Sequence, residues 1–132
     1  MKNVRLLTIW TIVLNTVILV GAGHGLATIG IFEILFALAP FVGHLNFELS
    51  FSLNATYDQS LLAAALFSFL GQVALLVSII RKKKGKSAMR YLGIPLLWIG
   101  YFYLSHNFID DAGSQLSLFT GLPFFVVSVL LT

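Results

Sequence analysis

The sequence contains no cysteine among its 132 residues. Disulfide bonds, thiolate metal sites and cysteine nucleophiles are therefore excluded, and cysteine usage gives no information on the compartment. Several catalytic and phosphate-binding motifs are also absent: there is no HExxH zinc signature, no P-loop and no serine nucleophile elbow. We therefore identify no catalytic residue, and an enzyme is the less favoured class of function.

Charged residues are scarce as well. Lys and Arg number 8 and Asp and Glu number 5, so that only 10% of the chain is charged while 58% is hydrophobic. So few charges cannot cover the surface of a soluble domain of this length, and long uncharged runs are typical of membrane proteins. The composition therefore predicts one polytopic membrane domain over residues 1–132.

Four apolar runs predict an all-α integral membrane protein with four transmembrane helices. They begin at Val4, extend over 61–80, begin at Tyr91, and extend over 116–132. At about 1.5 Å per residue, about 20 helical residues cross a hydrocarbon core of about 30 Å. A further run, 26–43, is apolar apart from Thr28 and Glu33. We predict a membrane-embedded or re-entrant helix there; the alternative is a fifth spanning helix with the N-terminus outside.

The basic residues determine the expected orientation. Lys2 and Arg5 lie near the N-terminus, and the other basic residues lie in the loop 81–90. Because basic loops stay cytoplasmic, this loop is expected inside, and the segments 44–60 and 105–114 are extracytoplasmic in both topologies. We expect contact with anionic lipid headgroups from Arg81, Lys82, Lys83, Lys84, Lys86 and Arg90. No nucleic-acid partner is expected.

The extracytoplasmic segment 44–56 has strictly alternating polarity from His44 to Leu53, with an apolar residue at every second position. A period of two predicts an extended strand with one apolar face. The strand would lie on its own helices or at the lipid interface, or it would pair with another chain by strand addition.

The stretch SHNFIDDAGS, residues 105–114, concentrates ionisable groups. If the preceding helix continues through it, His106 and Asp110 share a face at a spacing of four residues, and Asp111 reaches in from the next turn. Imidazole and carboxylate ligands suit a divalent cation, so His106, Asp110 and Asp111 are a candidate metal site. The plainer alternative is that Asp110, Asp111 and Ser114 cap the last helix and that His106 lies at the interface. No other cofactor is predicted.

Glu33 is the ionisable residue in the least favourable sequence environment. A carboxyl group in an apolar helix must be either neutral or paired, and its neighbours on the helix face offer no partner. The candidate partners are His24, Asn15, Gln72 or another subunit. Ionisable residues within membranes are functional candidates, so Glu33 and His24 are predicted to handle a proton or a cation.

Three functional hypotheses follow from these residues. The leading one is a small polytopic membrane protein that acts as a subunit or accessory component of a larger membrane complex. Its partners would be the lipid bilayer, other membrane subunits or a second copy of itself. The first alternative is an oligomeric cation or proton transporter or channel that uses Glu33 with an outer His/Asp site. The second alternative is a small membrane enzyme or metal-binding protein.

Overall fold

A computed structural model describes residues 2–22, 25–42, 49–81 and 88–132. Within these residues the chain forms five helices and one two-stranded sheet. In chain order the elements are α1 (Lys2–Thr16), β1 (Leu19–Ala22), β2 (Gly25–Thr28), α2 (Ile29–Val42), α3 (Tyr57–Ile80), α4 (Ala88–Ser105) and α5 (Ala112–Leu131). The mostly helical architecture predicted from the apolar runs is confirmed, whereas the hairpin of β1 and β2 was not predicted.

Helices α3 and α4 pack in antiparallel directions through small residues. A Cβ atom added at Gly93 would lie 2.9 Å from the carbonyl oxygen of Gly71, and one added at Gly100 would lie 2.7 Å from the Oγ of Ser68. The absence of side chains at these glycines allows the two backbones to approach closely, as is common between helices in membranes. The pairing of early α3 with late α4 also fixes their relative direction.

Helix α5 packs against α4 through aromatic side chains that donate hydrogen bonds. The Nε1 of Trp98 donates to the Oγ of Ser128 at 2.8 Å, and the hydroxyl of Tyr101 donates to the carbonyl of Leu118 at 2.7 Å. Because Trp98 contacts late α5 and Tyr101 contacts earlier α5, these helices are antiparallel as well. Trp98 and Tyr101 therefore bury their apolar rings while their polar atoms find partners, as buried aromatic groups generally do.

The surface is far more apolar than that of a water-soluble protein, although the interior is largely apolar as well. Large apolar side chains lie on the surface, for example Phe41, Ile80 and Phe119, which are 85%, 75% and 68% exposed. Small hydroxyl side chains lie inside: Thr8, Thr11, Ser60, Ser68, Ser105, Ser114, Ser117 and Ser128 are all buried. Buried Ser and Thr between helices, with large apolar groups outside, are typical of helices that pack in lipid.

In the parts of the chain that the structure describes, two helical segments are long and apolar enough to cross a membrane: Gln59–Ile80 and Ala112–Leu131. Helices α1 and α2 have 15 and 14 residues, fewer than the roughly 20 that a span requires. Helix α4 has 18 residues, with Arg90 in its first turn. The four or five continuous spanning helices expected from the sequence are therefore not shown.

The first apolar run differs most from its prediction, because it does not form one helix. Helix α1 ends at Thr16, and the chain then continues as β1, which pairs with β2 in antiparallel register with Leu19 opposite Thr28. Helix α2 follows directly at Ile29, so the predicted helix at 26–43 forms only over Ile29–Val42. Aliphatic and β-branched residues such as Val17 and Ile18 suit a strand as well as a membrane helix, so composition does not separate the two.

The backbone N–H and C=O groups on the outer edge of β1 form hydrogen bonds with hydroxyl groups of α3 and α5. The backbone N–H of Leu19 donates to the Oγ1 of Thr120 at 3.1 Å, and the Oγ of Ser117 donates to the Leu19 carbonyl at 3.0 Å. The N–H of Gly21 donates to the hydroxyl of Tyr57 at 3.2 Å. Backbone groups away from water need such partners, so α3 and α5 stabilise the strand directly. These contacts also show that β1 runs beside the first half of α5.

The predicted strand at 44–56 is wrong for the residues that can be described. Residues 43–48 lie outside the described residues, and 49–56 contain no strand. Instead the N–H of Ala55 donates to the Ser52 carbonyl at 3.1 Å in a turn, and the Phe51 carbonyl accepts a bond of 2.9 Å from the hydroxyl of Tyr103. Ser and Asn favour turns, and among the apolar residues of the pattern Phe51 packs its ring edge-on against Phe67 of α3.

Charged residues lie at opposite ends of the α3–α5 bundle. Arg81 follows the last residue of α3 and Arg90 lies in the first turn of α4, whereas Asp110 and Asp111 lie at the junction of α4 and α5. Because the three helices alternate in direction, the arginines share one end and the aspartates share the other. The segment 49–56 also packs at the aspartate end, through Phe51 and Ala55.

Candidate functional site

A group of four polar residues lies where α1, α2 and α3 meet, and we call it the polar cluster. Asn15 and Thr16 end α1, Glu33 lies in the second turn of α2, and Gln72 lies in the second half of α3. The break after α1 brings them together, because the N–H of Ile29 donates to the carbonyl of Ile18 at 2.9 Å and so returns α2 to the end of α1.

The side-chain nitrogen of Gln72 is the centre of the polar cluster. Its Nε2 donates to the Oδ1 of Asn15 and to the Oε1 of Glu33, each at 2.9 Å, and lies 3.3 Å from the Oγ1 of Thr16. An amide nitrogen has only two hydrogens, so three oxygens compete for two donors. The polar cluster therefore contains more acceptors around this nitrogen than the nitrogen can satisfy.

The polar cluster is deeply buried. Asn15 is fully buried and Glu33 is only 4% exposed. The Nδ2 of Asn15 is buried without a hydrogen-bond partner among the described residues. An unpaired buried donor is costly, typically about 1–3 kcal/mol, and such groups often occur at functional sites.

The charge of Glu33 has no compensating cation in the described residues. Its hydrogen-bond partner is the neutral amide of Gln72. No Lys, Arg or His in the described parts of the chain forms an ion pair with it. A carboxyl group in such surroundings must bind a proton or a cation, because an isolated buried carboxylate is very unfavourable.

The polar cluster borders a cleft of about 340 Å³. Thr16, Glu33 and Gln72 form its polar part. The rest of its lining is apolar or lacks a side chain: Gly30, Ile34, Ala37, Leu38 and Phe69. Ile34 is 61% exposed, so the cleft reaches the surface of the molecule. The buried carboxyl group therefore lies beside a cleft that opens to the surface.

Part of the polar cluster was predicted from the sequence. Asn15 and Gln72 were expected as partners of Glu33, and Gln72 indeed bonds both of the other side chains. His24 lies outside the described residues, so its role beside Glu33 stays a prediction. Thr16 and the apolar residues that line the cleft, such as Phe69, were not predicted. The sequence has many threonines and phenylalanines in apolar runs, and nothing in it distinguishes these two from the rest.

The stretch 105–114 does not form the continuous helix on which the spacing argument depended. Helix α4 ends at Ser105, and 106–110 form turns, so His106 and Asp110 do not share a helix face. The Nδ1 of His106 lies 3.0 Å from the Tyr103 carbonyl, and Asp111 caps α5 by accepting a bond of 2.7 Å from the Ser114 N–H. The capping alternative thus holds for Asp111.

No group of three His, Asp or Glu side chains suited to a metal ion occurs within residues 2–22, 25–42, 49–81 and 88–132. The divalent cation at His106, Asp110 and Asp111 stays a prediction from sequence without geometric support. His44 and Glu48, which offer the same ligand types, lie outside the described residues.

Two of the six predicted headgroup-binding residues can be described. Arg81 is exposed after the last turn of α3, and the guanidinium of Arg90 lies 5.5 Å from the ring centroid of Tyr91. Both lie at the same end of the bundle, as contact with one lipid surface requires. The other four, Lys82, Lys83, Lys84 and Lys86, lie outside the described residues.

Comparisons of the chain with protein-family models, with curated proteins and with solved structures find no match. The function of the polar cluster is therefore argued from its own geometry and charge.

Proposed function

We propose that this chain is an integral membrane protein that binds a proton or a cation at Glu33 and transports it as an oligomer. The observation that carries the proposal is a carboxyl group only 4% exposed, bonded to a neutral amide and bordering an open cleft. Among ionisable residues within membranes, those beside a cavity commonly belong to ion or proton pathways. Three oxygens around one nitrogen also provide the kind of ligands that hard cations prefer.

The large apolar side chains on the surface and the hydroxyl side chains in the interior support a membrane location. In water the exposed Phe41, Ile80 and Phe119 would form an extensive apolar surface, which soluble monomers rarely have. In lipid the same surface is solvated by acyl chains, and buried hydroxyls such as those of Thr11, Ser60 and Ser105 donate to backbone carbonyls. Two segments long and apolar enough to span are in agreement with this location.

For the topology we propose four crossings, with α1 and β1 together making the first. A helix of 15 residues and a strand of 4 cover about 35 Å at about 1.5 and 3.3 Å per residue, sufficient for a hydrocarbon core of about 30 Å. The crossings α3, α4 and α5 follow, and α2 is embedded without crossing. Irregular backbone at this depth is tolerated when other helices cover it, as Ser117, Thr120 and Tyr57 cover β1.

The proposed orientation puts the Arg81 end in the cytoplasm and the Asp110 end outside. Because the chain has no cysteine, single cysteines can be introduced at Arg81 and at Asp110 without background labelling. A membrane-impermeant maleimide applied to intact cells is expected to label Asp110→Cys alone. Labelling of Arg81→Cys alone would contradict the proposed orientation.

Transport is tested with purified protein reconstituted into liposomes. We expect a proton or sodium gradient to drive flux in the unmodified protein, and we expect Glu33→Gln to abolish it. Gln115→Leu changes a polar side chain on the exposed face of α5 and is expected to retain full flux. Equal flux in the Glu33→Gln variant and the unmodified protein would remove Glu33 from the mechanism.

A second candidate function is that of a docking subunit in a larger membrane complex. An aromatic groove of about 520 Å³ favours it, because Trp98, Phe102 and Phe125 on α4 and α5 form an apolar surface with Pro95 and Ile99. Rigid aromatic groups are common in protein interfaces. Purification of the native complex tests this candidate: a stable monomer without partners would count against it.

A further inference from the structure

We infer that the cleft beside Glu33 binds an organic ammonium ion with a short apolar chain. This inference rests on the proposed cation binding at Glu33 and narrows the class of cation. It comes from three properties of the cleft: its volume, its apolar walls and the acceptors at its polar end.

The volume of the cleft is too large for a bare ion. At about 30 Å³ per water molecule in the liquid, a cleft of about 340 Å³ has the volume of roughly ten waters. Small-molecule sites start at about 300 Å³. A dehydrated alkali ion would contact only a small part of this cleft, whereas a small organic molecule would contact most of its lining.

The apolar side chains that line the cleft favour a ligand with a hydrocarbon part. Ile34, Ala37, Leu38 and Phe69 line it opposite the polar part, and none of them has a polar side-chain atom. A hydrated inorganic ion would make no favourable contact with these side chains. An alkyl chain makes dispersion contacts with all of them, and such contacts are individually small but add up over the whole lining.

The polar end of the cleft matches an ammonium group in charge and in donor number. A primary ammonium has three hydrogens to donate, and Glu33 supplies both the opposite charge and acceptor oxygens. The hydroxyl of Thr16 already donates to the Ile12 carbonyl at 2.9 Å, so its oxygen faces the polar cluster as an acceptor. An anion would be repelled by Glu33, and a neutral alcohol would contribute only one donor.

The inference is tested with n-butylammonium chloride and n-butanol, which share an alkyl chain and differ in the polar group. Binding to the purified full-length chain in detergent is measured by titration calorimetry near neutral pH. We expect saturable binding of butylammonium and at least about tenfold weaker binding of butanol, since only the ammonium makes charge-assisted bonds. Glu33→Gln is expected to weaken butylammonium binding by about tenfold or more, and Gln115→Leu, a change on the exposed face of α5, is expected to leave it unchanged.

Ala37→Phe distinguishes this inference from the broader proposal. The larger side chain occupies the apolar part of the cleft while Glu33 and Gln72 stay intact. We expect it to abolish butylammonium binding and to preserve Glu33-dependent sodium or proton binding, measured by radioactive sodium uptake or proton release.

Equal binding of butylammonium and butanol by the unmodified protein overturns the inference, and this comparison requires no variant to fold. Unchanged butylammonium binding in Glu33→Gln overturns it as well. If sodium or proton binding depends on Glu33 while butylammonium does not bind, only the ammonium inference falls. If neither depends on Glu33, the proposed function falls with it.

Discussion

Replacement of Gln72 by Leu tests whether the polar cluster holds α1, α2 and α3 together. Leucine is close to glutamine in size, so the substitution removes the amide and leaves little cavity. Three acceptors then lose their shared donor: Asn15, Thr16 and Glu33. The buried position of Asn15 and Glu33 means that water cannot readily take the place of the lost amide.

The expected magnitude follows from the two bonds of 2.9 Å. A bond to a charged acceptor contributes about 1.5–3 kcal/mol and a neutral one about 0.5–1.5 kcal/mol, so the upper limit is about 4 kcal/mol. Hydrogen bonds between membrane helices average about 0.6 kcal/mol, so two of them give a lower limit of about 1 kcal/mol. Gln72→Leu is therefore expected to lower the free energy of unfolding by about 1–4 kcal/mol.

The free energy of unfolding is measured by denaturant titration of the protein in mixed micelles, with circular dichroism as the signal. Gln115→Leu is the matched control, because it makes the same change on the exposed face of α5 and is expected to cost less than about 0.5 kcal/mol. The double variant Gln72→Leu/Glu33→Leu is expected to be more stable than additivity predicts, since the unpaired carboxyl group is removed too. Equal stability of Gln72→Leu and Gln115→Leu would refute the argument.

Three further predictions concern the helix ends, the helix packing and the strand. Asp111→Ala removes the N-cap of α5 and is expected to lower the free energy of unfolding by about 1 kcal/mol. Asp110→Ala, at an exposed position, is expected to change this free energy little, and thermal denaturation measures both variants. Gly100→Ala forces α4 away from a serine of α3 and is expected to cost about 1–3 kcal/mol, so an unchanged melting temperature would contradict the close packing. Tyr57→Phe removes the acceptor for the Gly21 N–H and is expected to increase hydrogen exchange at that amide, which mass spectrometry would detect; unchanged exchange there would argue against the bond.

The helical part of the fold was largely predictable from the length of the apolar runs. The run 61–80 became α3, extended at its start to Tyr57, and the run 116–132 became α5, extended to Ala112. Helix α3 begins with a capping box at Thr56, and α5 begins after the N-cap residue Asp111. Both are polar residues just before an apolar run, which is an ordinary start signal of a helix.

The hairpin was not predictable, because the contacts that stabilise it are distant in sequence. The residues of β1 have no polar pattern of their own, and the hydroxyl partners of Leu19 come from α5, about a hundred positions later. Strand preference depends strongly on such context. The candidate site was predictable only in its polar members: a carboxyl group in an apolar run demands a partner, and Asn15 and Gln72 were among the few available.

The dependence of β1 on α5 also has a consequence for biosynthesis. Within the described residues the backbone N–H and C=O of Leu19 find their side-chain partners in Thr120 and Ser117, which are synthesised about a hundred residues after Leu19. Until then the N-terminal segment has no acceptor or donor in the protein for this part of its backbone, and as a nascent chain in lipid it would favour a longer helix over an unsatisfied strand. We therefore expect maturation to include a conversion after α5 has been synthesised, in which α5 replaces helical turns after Thr16 with the hairpin and so lets α2 return to the end of α1.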